Sequence, residues 1–205
     1  SFHLTNDIAN GGTVNLMNGI VLMDKAQGGA FVFLKGAKHI NTSDRSHVNG
    51  EVTKNGNEGF KYPVGDGGYY RFAGISAPAQ ESEIYTGEYL LENSNSKYPH
   101  ASRTGVLQAI DDKEYWIINQ SVKTDNSVIV TLSWDTRTTP KSFTDNPDLL
   151  RVVRWDDTQK LWVDEGGEVN YAEQTVSTPV NVDGFGIFTL GTVKKPLVNP
   201  GEVVI

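Results

Sequence analysis

The chain contains no cysteine. That excludes disulfides, thiolate metal sites and a cysteine nucleophile, so stability has to come from packing. Histidine is scarce as well. His3, His39, His47 and His100 stand apart, and no H-x-x-x-H or H-E-x-x-H pair offers a zinc site. No apolar run approaches the ~20 residues that a membrane-crossing helix needs. There is no long basic run either. A net charge of −7 repels phosphate backbones, which argues against a nucleic-acid partner. The sequence also lacks a G-x-S-x-G elbow, a P-loop, and a G-x-G-x-x-G in a strand–helix setting. Ser1 opens the chain without a signal peptide and Gly201 to Ile205 closes it mid-strand in character, so it reads as a piece of something longer.

What is abundant is punctuation. Glycine supplies 21 of the 205 residues. Apolar residues make up 38%, enough for a core, and mean hydropathy is −0.38. The densest stretch is His47 to Phe72. Asn-Gly pairs stand at 49–50 and 55–56, then come Pro63 and the run Gly65-Asp66-Gly67-Gly68. Asn-Gly is the preferred pair for a two-residue hairpin, because both central positions need φ > 0. The stretch therefore reads as short strands and tight turns joining two parts of the chain that differ in character.

Before it, residues 1–60 hold very short β-like pieces: Val14 to Leu16, Ile20 to Leu22 and Ala30 to Leu34, separated by Gly or Asn-Gly. Such pieces fit the rungs of a small solenoid or the first hairpins of a sandwich. No strict repeat period decides between them. After it, residues 61–196 carry longer strands at Ile84 to Glu92, Val106 to Ile110, Tyr115 to Asn119 and Val128 to Trp134. Leu149 to Trp155 and Lys160 to Val163 flank an Asp156-Asp157-Thr158-Gln159 turn, which places Trp155 and Trp162 on facing strands. Alternation returns at Val176, Thr178, Val180 and Val182, and a last strand begins at Phe185. Pro63 interrupts a run and belongs at an edge or a crossing. Residues 93–105 read as a long surface loop, and 197–205 as a Pro-containing linker into a further domain. The expectation is an all-β fold: an antiparallel β-sandwich preceded by short solenoid-like or hairpin strands.

Site chemistry is sparse. Carboxylates are adjacent at Asp111-Asp112-Lys113-Glu114, Asp156-Asp157 and Asp164-Glu165, and another loop runs Thr144-Asp145-Asn146-Pro147-Asp148. Such loops suit Ca²⁺, although none has EF-hand spacing, and acidic turns in an acidic protein are commonly just solvated. Nothing selects a glycosidase pair. The tryptophans lie in expected strands, where packing is their usual role. Tyr69, beside Tyr70 on a short strand, and Tyr98, in the polar loop, are the aromatics most available to a ligand such as a glycan.

Several motifs together carry a resemblance. They are Gly50-x-Val52-x-Lys54-x-Gly56, Phe60-x-Tyr62-Pro63-Val64-Gly65-Asp66 with Tyr70-Arg71, and Asp111 to Trp116. Val128 to Asp135, Val153 to Asp156 with Leu161 to Gly167, and Gly184 to Gly191 follow in order. This set, over about residues 30–196, resembles the C-terminal region of the type IX-secreted gliding-motility adhesins of the Bacteroidetes. The resemblance implies a secreted, cell-surface protein and a non-enzymatic stalk or membrane-proximal module, with no catalytic residues to carry over. It also implies a sorting domain after residue 205 that engages an outer-membrane anchor of the PorP/SprF type. Two other classes compete: a carbohydrate-binding module, which needs an exposed aromatic patch, and a hydrolase, which needs a cleft with perturbed carboxylates.

Overall fold

A computed structural model describes residues 2–24, 26–121 and 126–195. The expected linker at 197–205 lies outside the described residues. The fold is all-β. Its first part holds β1 (Phe2–Leu4), β2 (Ile8–Asn10), β3 (Thr13–Asn15), β4 (Val21–Met23), β5 (Phe31–Phe33), β6 (Lys38–Ile40), β7 (Val48–Asn49) and β8 (Val52–Asn55). These strands pair in parallel with strands one coil away: β1 with β4 and β4 with β7, β2 with β5 and β5 with β8, and β3 with β6. That is a short parallel solenoid, so of the two arrangements open from sequence the rungs are realised and the hairpins are not.

The Asn-Gly pairs are corners of this solenoid. β7 and β8, on either side of Asn49-Gly50, bond to the preceding coil rather than to each other. The backbone agrees: Gly50 (φ 135°) and Gly56 (φ 107°) take positive φ while Asn49 and Asn55 do not, and a type I′ hairpin would need both. The coil lengths explain the missing repeat. In backbone register Phe2 pairs with Val21 and Val21 with Val48, steps of 19 and then 27 residues. Stacking fixes the register of the short rungs, and the corners absorb the difference.

The second part holds β9 (Phe60–Lys61), β10 (Gly65–Asp66), β11 (Tyr69–Tyr70), β12 (Ala73–Ile75), β13 (Ile84–Leu90) and β14 (Leu107–Ile110). β15 (Tyr115–Gln120), β16 (Val130–Ser133), β17 (Leu150–Asp156), β18 (Leu161–Asp164), β19 (Glu168–Asn170), β20 (Thr175–Ser177) and β21 (Gly186–Val193) follow. An antiparallel sheet in the order β19-β20-β16-β12-β9 faces a larger sheet in the order β18-β17-β21-β15-β13-β8-β5-β2, with β14 also on β21. The larger sheet crosses from sandwich into solenoid where β13 pairs antiparallel with β8, so both parts share one ladder. Pro63 lies in the crossing segment between β9 and β10, where its carbonyl accepts from Val48 N at 2.8 Å.

The main core fills the space between the sheets with Trp116, Ile118, Val130, Leu132, Leu150, Val152, Phe188 and Leu190, and continues through Phe60 and Tyr62 into the solenoid at Phe33 and Phe31. Alternation along β17 sends Val152 inward and Val153 and Trp155 outward. On that outer face Val153, Trp155, Trp162, Leu107 and Ile110 form a second cluster. Trp155 and Trp162 are cross-strand partners with ring centroids 5.7 Å apart. One expected strand is shorter than its alternation implies: β20 ends at Ser177, because Pro179 has no N–H to continue the ladder, and Val180 is left exposed.

Candidate functional site

Tyr69 and Tyr98 are both half-buried and occupied by neighbours. The Arg137 guanidinium lies 5.1 Å from the Tyr69 ring centroid. That guanidinium is held by Asp135 (Nη2 to Oδ2, 2.5 Å) and Asp44 (Nη1 to Oδ2, 2.5 Å), and Asp44 also accepts from the Tyr70 amide at 2.9 Å. The arrangement ties a solenoid corner to the loop after β16. Tyr98 packs on the outer aromatic cluster, 5.6 Å from Trp155 and 6.3 Å from Trp162, and its carbonyl accepts from Trp162 Nε1 at 3.2 Å. Tyr98 belongs to the outer cluster and Tyr69 does not, and the four tryptophans are themselves buried.

The residues of the Gly50–Gly56 and Tyr70–Arg71 motifs build structure. Gly50 sits where a Cβ would be 2.5 Å from Met23 Cβ. Val52 is fully buried, and Lys54 buries its stem and gives its ammonium to the Leu34 and Asn55 carbonyls and to Glu58 Oε2 at 2.7 Å. Arg71 and Glu114 form the central polar contact of the sandwich. Nε meets Oε2 at 3.0 Å and Nη2 meets Oε1 at 2.8 Å, while Tyr89 OH (2.6 Å) and Thr139 Oγ1 (2.6 Å) donate to the same carboxylate. The guanidinium also donates to the Ser133 carbonyl at 2.7 Å and stacks 5.4 Å from the Trp116 centroid. This network has no access for a substrate, and its role is to pin three loops.

The adjacent carboxylates are likewise engaged. Asp111 is fully buried; burial, then the charge of Glu114, pushes its carboxyl well above the ordinary range. Asp156 accepts from the amides of Thr158 and Gln159 at 2.9 Å, which lowers it, and Asp157 is held low by Lys160. Asp145 pairs with Lys141 and Asp148 with Tyr171. Among the described residues no three acidic or histidine side chains converge as metal ligands.

A groove of about 1140 Å³ opens at one end of the sandwich, between the β17–β18 hairpin and the loop before β21. Its floor is Arg154 and Glu165, bonded from Nε to Oε1 at 2.6 Å. Burial raises the Glu165 carboxyl even against the opposing pull of Arg154. Arg154 is only 9% exposed and is held at the groove by this ion pair. Phe185 forms part of one wall, braced edgewise on Tyr85 at 5.3 Å. The loop is pinned by Asn181 Nδ2 donating to the Ser127 carbonyl at 3.0 Å and by the Ser127 hydroxyl donating to the Val182 carbonyl. Sequence reasoning missed this pair. The hairpin register contained the signal: with Trp155 opposite Trp162, Arg154 falls opposite Val163, and Glu165 comes two residues further along on the same face.

The chain matches no protein-family model, no curated protein and no solved structure.

Proposed function

We propose that this chain is a non-enzymatic cell-surface module, a stalk or membrane-proximal domain of a type IX-secreted adhesin. The observation that carries this reading is the single hydrogen-bonded sheet running from β2 in the solenoid to β18 in the sandwich. A force drawn along the chain meets shared ladders at that junction rather than a flexible joint. β21, the last strand described, is gripped by β17 on one side and by β15 and β14 on the other. Non-local ladders of this kind must break together, which suits a part that keeps a long surface protein on its anchor. Acidic charge supports solubility at the cell surface. The motifs shared with gliding adhesins agree with this role, and in that setting a further sorting domain would engage an outer-membrane partner of the PorP/SprF type.

Two measurements test the reading. Single-molecule pulling from both ends should give one dominant rupture for solenoid and sandwich together. An early, separate low-force event for residues 2–55 would overturn the connector. Protease shaving of intact native cells should release peptides from 61–196, and protection until lysis would overturn the surface location.

A further inference from the structure

The solenoid is closed at one end and open at the other. At the sandwich end β8 pairs with β13, Val48 bridges to Val64, and the His39 ring meets the Lys61 carbonyl. At the other end, among the described residues, β1, β2 and β3 each have a partner on one side only: β4, β5 and β6. Burial falls along the ladders toward that end. Val52 is fully buried, Phe31 is 8% exposed, and Ile8, next in the same row, is 39% exposed. Leu4 is half-buried where its partner Met23 is buried. Residues in register on paired strands share a face. The first coil therefore leaves its part of the core face uncovered.

This end lacks the features that ordinarily close one. A terminal solenoid coil is polar on its outer side, and a free strand edge is guarded by Lys or Pro. Between Phe2 and Met23 there is no Lys, Arg, Glu or Pro. The one Asp, Asp7, accepts from Ala30 N at 2.8 Å and so serves the coil behind it.

The edge also states what fits it. Strands β1 to β8 pair with one another only in parallel. Near the ends of β3 and β6, Asn41 Nδ2 donates to Asn15 Oδ1 at 2.8 Å across one coil step. An asparagine at the same corner of another coil would extend that side-chain ladder. A second copy of the chain has no matching face to offer, because its own downstream end is closed by the sandwich. Two copies would have to turn their open ends together, which reverses the strand direction.

We propose that the open end of the solenoid is a docking face for one further parallel coil, which runs into β1 from the N-terminal side of the same polypeptide. Its apolar residues would stack on Leu4, Ile8 and Val14, and its backbone would bond to the free edges of β1, β2 and β3. The inference goes beyond the connector reading, which asks nothing of this end.

Hydrogen exchange read by mass spectrometry tests it. Two extended chains carry one added coil joined to Phe2. One is a copy of residues 21–47, the length of the Val21-to-Val48 step, and the other a copy of residues 2–20, the length of the Phe2-to-Val21 step. A third carries residues 21–47 in scrambled order. Amides of residues 8–15 should exchange about tenfold more slowly, or slower still, in a coil-extended chain than in the 205-residue chain, and the scrambled extension should give no slowing. Ile8→Lys should abolish most of that slowing. In the 205-residue chain the same change should move the melting temperature little, because Ile8 is open to water there. Sedimentation of the 205-residue chain should show no dimer that Ile8→Lys dissolves. Such a dimer would give the face to a second copy and overturn the proposal. So would an absence of slowing in both coil-extended chains, equal slowing by the scrambled extension, or slowing that survives Ile8→Lys. Either outcome leaves the pulling experiment to judge the connector by itself.

Discussion

Arg71 and Glu114, 43 residues apart in sequence, meet as a two-point ion pair with side chains 1% and 0% exposed. Their contact joins the segment between β11 and β12 to the loop before β15. Removing one partner leaves the other charge buried. Arg71→Met and Glu114→Gln should therefore each destabilise the fold by roughly 3–5 kcal/mol. Urea unfolding would read this as a lower midpoint, and the double variant should lose much less than the two single losses added together. Midpoints within error of the parent protein would show that the pair is dispensable.

Asp111 sits beside this pair with one oxygen satisfied and the other not. Oδ1 accepts from Lys113 N at 2.8 Å, and Oδ2 has no hydrogen-bond partner. Its folded carboxyl is raised above the ordinary 3.8 by burial and by Glu114. A raised carboxyl binds protons more tightly folded than unfolded, so stability falls as pH climbs from the unfolded value through the folded one. Asp111→Asn keeps the turn acceptor and removes the charge. It should stabilise the protein at pH 8 by about 1 kcal/mol or more and flatten its pH profile above the unfolded value. A loss of melting temperature at pH 8 would refute this account.

His47 works in the opposite sense. Nδ1 donates to the Ser43 carbonyl at 3.2 Å, leaving Nε2 buried without a partner. Burial holds the imidazole below its ordinary 6.5, against the raising pull of the Ser43 carbonyl and of Asp44 and Asp66. Its contribution to stability is full above the unfolded value and is lost as pH falls from there through the folded one. Melting curves between about pH 7 and pH 5 should slope downward toward acid, and His47→Leu should shrink that slope. His39 and His100 are also held low and keep part of it. An unchanged slope would remove His47 from the explanation.

Gly87 gives a packing test. A Cβ there would lie 2.7 Å from Tyr62 Cγ, and Tyr62 is fully buried. Gly87→Ala should cost about 1–3 kcal/mol through overpacking. Tyr62→Leu in the same background should restore part of the loss. Neutral behaviour of Gly87→Ala would mean that the ring yields.

The strand plan was readable because alternation and turn residues act locally. Val130 and Leu132 point into the core as their spacing requires, and Trp155 faces Trp162 as the four-residue turn dictates. The solenoid was only half readable. Three-residue rungs such as Phe31–Phe33 have too few positions to show a period, and unequal corners erase the repeat. The meaning of Asn49-Gly50 depended on partners a coil away, which local turn preference does not see. The groove was hidden for a related reason: Arg154 and Glu165 look like members of an ordinary charged hairpin until the Asp183-Gly184 loop closes over their face.

The unequal coils have a consequence for how this molecule could be changed. Rungs are held by backbone register, Val21 to Val48 and Phe31 to Val52, across corners of different length. Lengthening a closed loop adds little entropy, on the order of 0.6 kcal/mol per doubling. Material grafted at the exposed corner residues Met17 and Asn18 would thus ride on the column without disturbing its stacking. The solenoid is a frame on which surface features can be exchanged while the joint to the sandwich stays as it is.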